Sequence, residues 1–243
     1  MVLAIHQPNY FPWLGYLDKM AKADEYVILD EVQLVKGSPM VRNQFLQKNG
    51  DVCVLGVNIA SKGYREKQTR EIELQELKKT QHRHRSFFEL NYSKTKGFCD
   101  VWKEIVPIFE KEYQYLYEVD IDTMMALRKL YNINTKLYLQ SELEYDRSAK
   151  KNDLMLEISK TMNADIYLSG QGAKAYMKDE SFQEAGIKVV YQEFQHPYYE
   201  QPGLDSFVEG LSSLDMLMQV GVEEARAIFW ENVRKTDNTK EKK

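Results

Sequence analysis

The chain has 243 residues and a formal net charge of −4, with 43% hydrophobic and 29% charged residues. This composition is typical of a globular protein, and the acidic balance argues against the basic surface of a nucleic-acid-binding protein. No apolar run approaches the ~18 residues that a membrane-spanning helix needs, and no signal-peptide pattern is evident. Cys53 and Cys99 form neither a disulfide framework nor a zinc motif. We therefore expect a cytoplasmic protein without a membrane span.

The opening of the chain predicts a strand, a helix and a second strand. Residues 2–5 form a short apolar run, and apolar residues recur at helical spacing from about 13 to 23. A second buried strand follows over residues 25–29 and ends at Asp30. Because two parallel strands need such a crossover, we expect them to pair in parallel with a right-handed connection.

The middle of the chain divides into two segments. Residues 33–75 hold a β-prone run at 52–59, an alternating run at 70–74 and several turn residues, which predict a β-rich insertion. Residues 76–162 are mainly helical in pattern. Their three predicted helices lie over residues 98–109, 121–130 and 154–162.

The last part of the chain returns to alternating strands and helices. Strands are predicted at 165–169 and 188–194, with a short helix near 173–177 between them. Helices follow over 213–220 and 223–233, and the charged tail from Lys235 is expected to be disordered. The whole predicts one α/β domain over residues 1–234, a Rossmann-like parallel sheet core built from both chain ends, with a β-rich insertion and a helical middle segment.

A first candidate site lies where strand one ends and the next helix begins. Ligands of open α/β sheets bind at the carboxyl ends of strands, and helix N-termini attract anions. Aromatic rings there supply stacking area for a base or a sugar, although the same rings would also suit core packing. The candidates are His6, Gln7, Asn9, Tyr10, Trp13, Tyr16 and Lys19.

A second candidate site follows the second strand. Adjacent carboxylates at a strand end bind Mg²⁺ or orient a hydroxyl or ammonium group, and of Asp30 and Glu31 we favour Asp30. Basic side chains nearby suit phosphate or carboxylate binding. A solvated turn is the alternative for part of this set. The candidates besides Asp30 are Gln33, Lys36, Arg42 and Asn43.

Two further candidates lie near the chain end. A glycine turn after the strand at 165–169 presents backbone N–H groups that suit an anion. Its members are Ser169, Gly170, Gly172 and Tyr176. After the strand at 188–194, His196 is a candidate general acid or base, with Tyr199 and Gln201 beside it, and a structural role is the alternative.

Residues 5–16 read Ile-His-Gln-Pro-Asn-Tyr-Phe-Pro-Trp-Leu-Gly-Tyr, which resembles the opening of the WbqC-like family. The match continues through 29–33, 42–43, 167–173, 196–201 and 213–215, and His84 and Tyr92 look like the family's central His and Tyr. Glu31 stands where the family often has a second aspartate. The resemblance implies an enzyme of bacterial surface-polysaccharide synthesis, such as O-antigen, that transfers an aminoacyl (glycyl) or acyl group to an amino sugar.

A second resemblance is to the nucleotide-binding start of nucleotidylyltransferases. Those enzymes carry His-x-Gly-His where this chain has Trp13-Leu14-Gly15-Tyr16, and the loss of both histidines argues against adenylyl transfer.

Three functions follow as hypotheses. The first is a transferase acting on a nucleotide-activated amino sugar, with His6, Asp30 or His196 as the base for the attacking amine and an acyl or aminoacyl group as the donor. Lys36, Arg42 and the glycine turn would hold the phosphates. The second is an Mg²⁺-dependent, nucleotide-using transferase or ligase with the metal at Asp30. The third is a sugar-nucleotide binding or assembly protein without catalysis.

Overall fold

The computed structural model describes residues 1–34, 37–175, 177–201, 204 and 206–240. The elements in chain order are β1 (Val2–His6), α1 (Leu14–Ala21), β2 (Glu25–Ile28), β3 (Arg42–Leu46), β4 (Val52–Gly56), β5 (Asn58–Ile59), β6 (Leu74–Gln75), α2 (Leu77–Tyr92), α3 (Phe98–Ile105), α4 (Leu116–Leu130), β7 (Lys136–Leu139), α5 (Asn152–Thr161), β8 (Ile166–Ser169), α6 (Asp179–Glu184), β9 (Lys188–Tyr191), α7 (Ser213–Val220) and α8 (Val222–Thr236).

The core is a five-stranded parallel sheet in the order β7-β2-β1-β8-β9. The chain first builds outward from β1 through β2 to β7, then returns to the other side of β1 with β8 and β9. The order therefore reverses between β1 and β8, and this junction is the topological switch point where open α/β sheets bind ligands. The predicted α/β class with a Rossmann-like parallel sheet is confirmed.

Helices cover both faces of the sheet, as the apolar strands require. On one face Leu3 and Ile5 pack with Ile158 of α5 and Phe182 of α6. On the other face Ala4 of β1 belongs to the larger core, together with apolar residues of α1, α2, α3, α4, α7 and α8. The carboxyl ends of the strands remain at the open edge between the two helical layers.

The middle of the chain supplies one strand that the sequence pattern did not predict. β7 lies within the segment predicted to be mainly helical and pairs with β2 at the edge of the sheet. Its four residues are partly exposed, so they lack the apolar run that marked the inner strands. Residues 33–75 form two antiparallel pairs, β3-β4 and β5-β6.

Three local predictions differ from the structure. The alternating run at 70–74 is mostly a 3₁₀ turn, Thr69–Glu71, before the short β6. The predicted helix near 173–177 is another 3₁₀ turn, Gln171–Ala173, since helix α6 begins only at Asp179.

The chain end also differs, because α8 continues to Thr236 and Asn238 Nδ2 donates a hydrogen bond to Tyr191 O at 2.9 Å. These contacts order residues 235–240, while 241–243 lie outside the described residues. Within the part of the chain that is described, no helix has both the length and the apolar character needed to cross a bilayer.

A buried ion pair joins α1 to the end of the chain. Lys22 Nζ lies 2.8 Å from Asp18 Oδ2, and both side chains are fully buried. The same ammonium donates to Glu193 O at 2.7 Å and to Thr236 Oγ1 at 2.6 Å. Gln192 Nε2 also donates to Asp18 Oδ2, at 2.6 Å. The pair therefore connects α1, the segment after β9 and α8.

We predict that Lys22→Met lowers the free energy of unfolding by about 3–5 kcal/mol, because it leaves the Asp18 carboxylate buried without its cation. Lys235→Met is the matched control, since Lys235 pairs with Glu231 at the same spacing on exposed side chains. That variant should lose less than about 1 kcal/mol. Urea unfolding measures both, and equal losses would contradict a structural role for the buried pair.

Candidate functional site

The turn between β1 and α1 is held by side chains from distant parts of the chain. Phe11 has a φ of +41°, in the left-handed region that residues other than glycine rarely adopt. Its carbonyl accepts hydrogen bonds from Asn43 Nδ2 at 2.7 Å and from Ser212 Oγ at 2.8 Å. Its N–H donates to Thr123 Oγ1 at 3.0 Å. Asn43, predicted to contact a substrate, thus has its amide group engaged in building the turn.

Two tyrosines of the first motif lie in the core. Tyr10 and Tyr16 are each 2% exposed. The Tyr10 hydroxyl lies 2.6 Å from His84 Nδ1, and the Tyr16 hydroxyl donates to Met124 Sδ at 3.3 Å. Burial raises the pKa of both hydroxyls. In this structure their polar atoms are used within the protein, as core packing would predict.

His6 closes β1 and is half-buried at the open edge of the sheet. Its ring meets the edge of the Tyr16 ring with 5.0 Å between the centroids, and Nδ1 lies 3.0 Å from Gln7 O. Burial, together with the nearby charge of Lys19, lowers the pKa of His6 to about 4. The imidazole is therefore neutral at pH 7 and has a nitrogen free to accept a proton.

Lys19 is close enough to His6 for its charge to lower the pKa of His6, and it is 3% exposed. Its Nζ donates a hydrogen bond to Ile5 O at 2.9 Å, and no carboxylate of the described residues forms an ion pair with it. Burial lowers the pKa of this amine to about 7. The carboxyl end of the central strand thus holds two basic nitrogens that are wholly or partly neutral at pH 7.

Both nitrogens lie at the switch point between β1 and β8. The residue pairs of these two strands end at Ala4 with Leu168. Beyond this pair lies Gly170, where an added Cβ would meet no atom within 4 Å. The buried Oγ of Ser169 has no hydrogen-bond partner among the described residues. The carboxyl end of β1 therefore carries His6 and Lys19, and the space around Gly170 at the end of β8 is open.

Asp30, the second predicted catalytic residue, is fully buried with its oxygens occupied. Ser141 donates to it twice, from its N–H at 3.0 Å and from its hydroxyl at 2.7 Å. Arg70 Nη1 lies 3.5 Å from Asp30 Oδ2. In this arrangement the Asp30 carboxylate accepts hydrogen bonds from Ser141 and orients the Arg70 guanidinium group.

Glu31 continues the same cluster. It forms an ion pair with Arg147, accepts a hydrogen bond from Tyr145 at 3.3 Å and lies 3.8 Å from Arg70. The two guanidinium groups remain partly exposed, at 38% for Arg70 and 50% for Arg147. Two carboxylates thus hold two arginines at the ends of β2 and β7, where an anion can reach them. Within the described residues no group of three or more His, Cys, Asp or Glu is placed to hold a metal ion.

Sequence reasoning missed both arginines and Ser141. Arg70 lay in a run predicted as strand, and Ser141 follows the unpredicted strand β7. Two adjacent carboxylates indicate that cations are near, but nothing in the sequence distinguishes these arginines from the other basic residues. The predicted phosphate ligand Arg42 lies elsewhere. Arg42 is exposed on the β3-β4 hairpin, and Lys36 lies outside the described residues.

The glycine turn after β8 does not open a helix. Gly170 precedes a single 3₁₀ turn, so the predicted helix N-terminus is not there to bind an anion. Gln171 Nε2 donates to Gln192 O at 2.9 Å and connects the turn to the end of β9. Gly172, like Gly170, borders open space, and Tyr176 lies outside the described residues.

The candidate residues after β9, which are His196, Tyr199 and Gln201, lie in different environments. Tyr199 is buried and donates to Asp215 Oδ2 at 2.7 Å, and Gln201 closes a loop by bonding both backbone groups of Val208. His196 is half-buried, and burial lowers its pKa. Its ring lies 5.9 Å from the Phe194 ring, which in turn lies 5.2 Å from Trp13.

Four residues of the first two motifs remain to be placed. Gln7 Nε2 donates to Gln33 O at 3.4 Å and thereby links the ends of β1 and β2. The Gln33 side chain is exposed, and Asn9 is buried. Trp13 is 36% exposed, and its indole covers Gly15, where a Cβ would lie 2.2 Å from the ring. Trp13 is thus a ring of the first motif that retains contact with solvent.

Protonation of buried His84 should destabilise the fold. Burial, then the charge of Arg83, lowers the pKa of His84 from 6.5 to about 3. The unfolded chain therefore binds the proton first, and the stability that neutral His84 contributes is complete above pH 6.5 and falls as the pH drops toward 3.

His84→Gln should flatten this pH dependence by about 1.4 kcal/mol per pH unit between roughly pH 6 and 4. The amide can still bond the Tyr10 hydroxyl. His82→Gln, at an exposed position of the same helix, should leave the dependence unchanged. Urea unfolding from pH 7 to 4 decides the matter, since parallel curves for His84→Gln and the wild type would refute a neutral buried imidazole.

Comparison with known proteins gives a family and a distant relative. The WbqC-like protein family matches residues 7–227. Uncharacterized protein Rv1507c of Mycobacterium tuberculosis is 27% identical over 224 residues, covering 91% of this chain and 94% of the relative. No solved structure matches the chain significantly. Because the match covers nearly the whole chain, from the first motif to α8, this protein belongs to the WbqC-like protein family.

Proposed function

We propose that this protein is a cytoplasmic transferase of bacterial surface-polysaccharide synthesis, of the lipopolysaccharide or O-antigen type. Its substrate is a nucleotide-activated amino sugar, and it places an aminoacyl or acyl group on the amine. The observation that carries the proposal is the pair of basic nitrogens, His6 and Lys19, at the carboxyl end of β1. An amine that attacks an acyl carbon must give up a proton as the new bond forms, so a neutral base at this edge suits the reaction.

The arginine cluster supports a substrate with a diphosphate. Arg70 and Arg147 are held by Asp30 and Glu31 at the ends of β2, the neighbour of β1, and of β7 at the sheet edge. A guanidinium group binds phosphate oxygens with two parallel hydrogen bonds and keeps its charge at any physiological pH. The nucleotide diphosphate would thus lie toward β2 and β7, and the amino sugar toward β1 and β8.

The Mg²⁺-dependent alternative is less well supported. It requires Asp30 as a metal ligand, whereas both oxygens of this carboxylate already accept hydrogen bonds from Ser141. Arg70 lies beside it, and its positive charge disfavours a second cation. A binding protein without catalysis would use the same crevice, so only a turnover measurement separates it from the transferase.

Binding of a uridine-diphosphate amino sugar should raise the melting temperature of the protein, because a ligand of the native state stabilises it by mass action. The same screen includes free nucleotides, acyl-coenzyme A, and ATP with and without Mg²⁺. A shift with ATP and Mg²⁺ alone would favour the ligase alternative. The absence of any shift with nucleotide sugars would overturn the proposal.

Arg70→Met should raise the dissociation constant of that nucleotide sugar about 10–100-fold, since a hydrogen bond to a charged group contributes about 1.5–3 kcal/mol. Arg65→Met is the control, because Arg65 is exposed and contacts only Tyr64 among the described residues. Titration calorimetry measures both variants. Equal affinity for the two would remove the arginine cluster from the binding site.

Turnover is tested by mass spectrometry of the nucleotide sugar after incubation with acyl or aminoacyl donors. We expect the mass to increase by one acyl or aminoacyl group, with loss of the free amine. Tight binding with no increase for any donor would instead support the non-catalytic binding protein.

A further inference from the structure

We infer that Lys19 is the catalytic base, the group that contacts the acceptor amine and takes its proton. This inference rests on the proposed function and names the residue that performs its central step. It changes the expectation from the sequence, where Lys19 was a substrate-binding residue and His6, Asp30 or His196 was the base.

The Lys19 amine occupies a defined position at the end of the sheet. Alternate residues of a parallel strand direct their carbonyls to opposite neighbours. His6 O accepts from Leu29 N on the β2 side, so Ile5 O points toward β8. The residue pairs of β1 and β8 have ended at Ala4, and Lys19 Nζ bonds Ile5 O at 2.9 Å. The amine therefore lies where the two strands part, at the carboxyl end of β1.

Lys19 differs from Lys22, a second buried lysine at the end of α1. Lys19 and Lys22 are 3% and 4% exposed. Lys22 is paired with the Asp18 carboxylate and donates three hydrogen bonds. Among the described residues Lys19 has only a backbone carbonyl as partner. A buried lysine that only holds two elements together is thus already present, and Lys19 is arranged differently.

Lys19 and His6 also differ in basicity. A general base works best when its pKa lies near the working pH. The pKa of Lys19 is lowered to about 7 by burial, whereas that of His6 is lowered to about 4, which makes His6 a weak base. The charge of Lys19 acts on its ionisable neighbour His6. The adjacent Asp18 and Lys22 form an ion pair, so their opposite charges offset each other. Asp30 is bound to Ser141, so among the groups at the ends of β1 and β2 Lys19 is the one suited to act as the base.

The proposed step conserves atoms and charge. The acceptor enters as its neutral amine, and its nitrogen attacks the carbonyl carbon of the acyl or aminoacyl donor to form a carbon–nitrogen bond. The neutral Lys19 amine takes one proton from that nitrogen and becomes an ammonium. The bond between the acyl carbon and its leaving group then breaks, and Lys19 returns the proton to the leaving group.

Substitution of Lys19 distinguishes this role from a structural one. Arginine keeps the positive charge and the donor to Ile5 O but does not lose its proton, so Lys19→Arg should lower kcat about 10²–10⁴-fold with little change in KM. Lys19→Met should lose as much. Lys129→Arg, at an exposed lysine of α4, should match the wild type. Activity of Lys19→Arg within a few-fold of the wild type would overturn the inference.

A labelling experiment on the wild-type protein tests the same point without variants that could fail to fold. Trace acetic anhydride modifies neutral amines, and mass spectrometry follows each lysine as the pH rises. Lys19 should gain reactivity with a midpoint near pH 7. Saturating uridine-diphosphate amino sugar should protect it, and Lys22 should react far more slowly. Unreactive Lys19, or labelling that the bound nucleotide sugar does not reduce, would contradict the inference.

Different results would overturn the proposed function and the assignment of Lys19 as the base. If no nucleotide sugar binds, the proposed function is overturned, and the role of Lys19 falls with it. If the nucleotide sugar binds and is acylated while Lys19→Arg keeps its activity, the function stands and only the assignment of the base is wrong.

Discussion

The structure depends on how the turn after β1 is held. Residues 7–13 connect β1 to α1, and the strained Phe11 lies in this segment. A φ of +41° for a bulky residue persists only when surrounding contacts impose it. Here they come from the hairpin, from α4 and from the start of α7, through Asn43, Thr123 and Ser212. Segments far apart in sequence thus determine where α1 begins and where its side chains point.

This constraint separates residues that build the site from residues that are free to act in it. Tyr10, Asn43 and Tyr199 have their polar groups occupied by other parts of the protein. Because α1 is placed by the turn, Lys19 reaches the Ile5 carbonyl and the parting of β1 and β8. A motif dense in polar and aromatic residues is therefore largely a scaffold, and the proposed chemistry is assigned to a few nitrogens at the strand ends.

The sequence predicted the inner strands and the parallel pairing of the first two, because short apolar runs and the helix between them carry a strong pattern. It did not predict β7, whose edge position requires few apolar residues, nor the arginine cluster beside Asp30. The two histidines proposed as bases could be found by their place beside Pro8 and Pro197. Their neutrality could not, since it depends on burial among residues distant in the chain, and the same holds for the lowered basicity of Lys19.

The central claim is that the carboxyl ends of β1 and β8 form the substrate site. A crystal structure of the protein with a bound uridine-diphosphate amino sugar tests it most directly. The account predicts that the sugar amine lies within hydrogen-bond distance of Lys19 Nζ and that the diphosphate contacts Arg70. A ligand bound elsewhere, for example in the groove of about 630 Å³ between α3 and the start of α8, would contradict the claim.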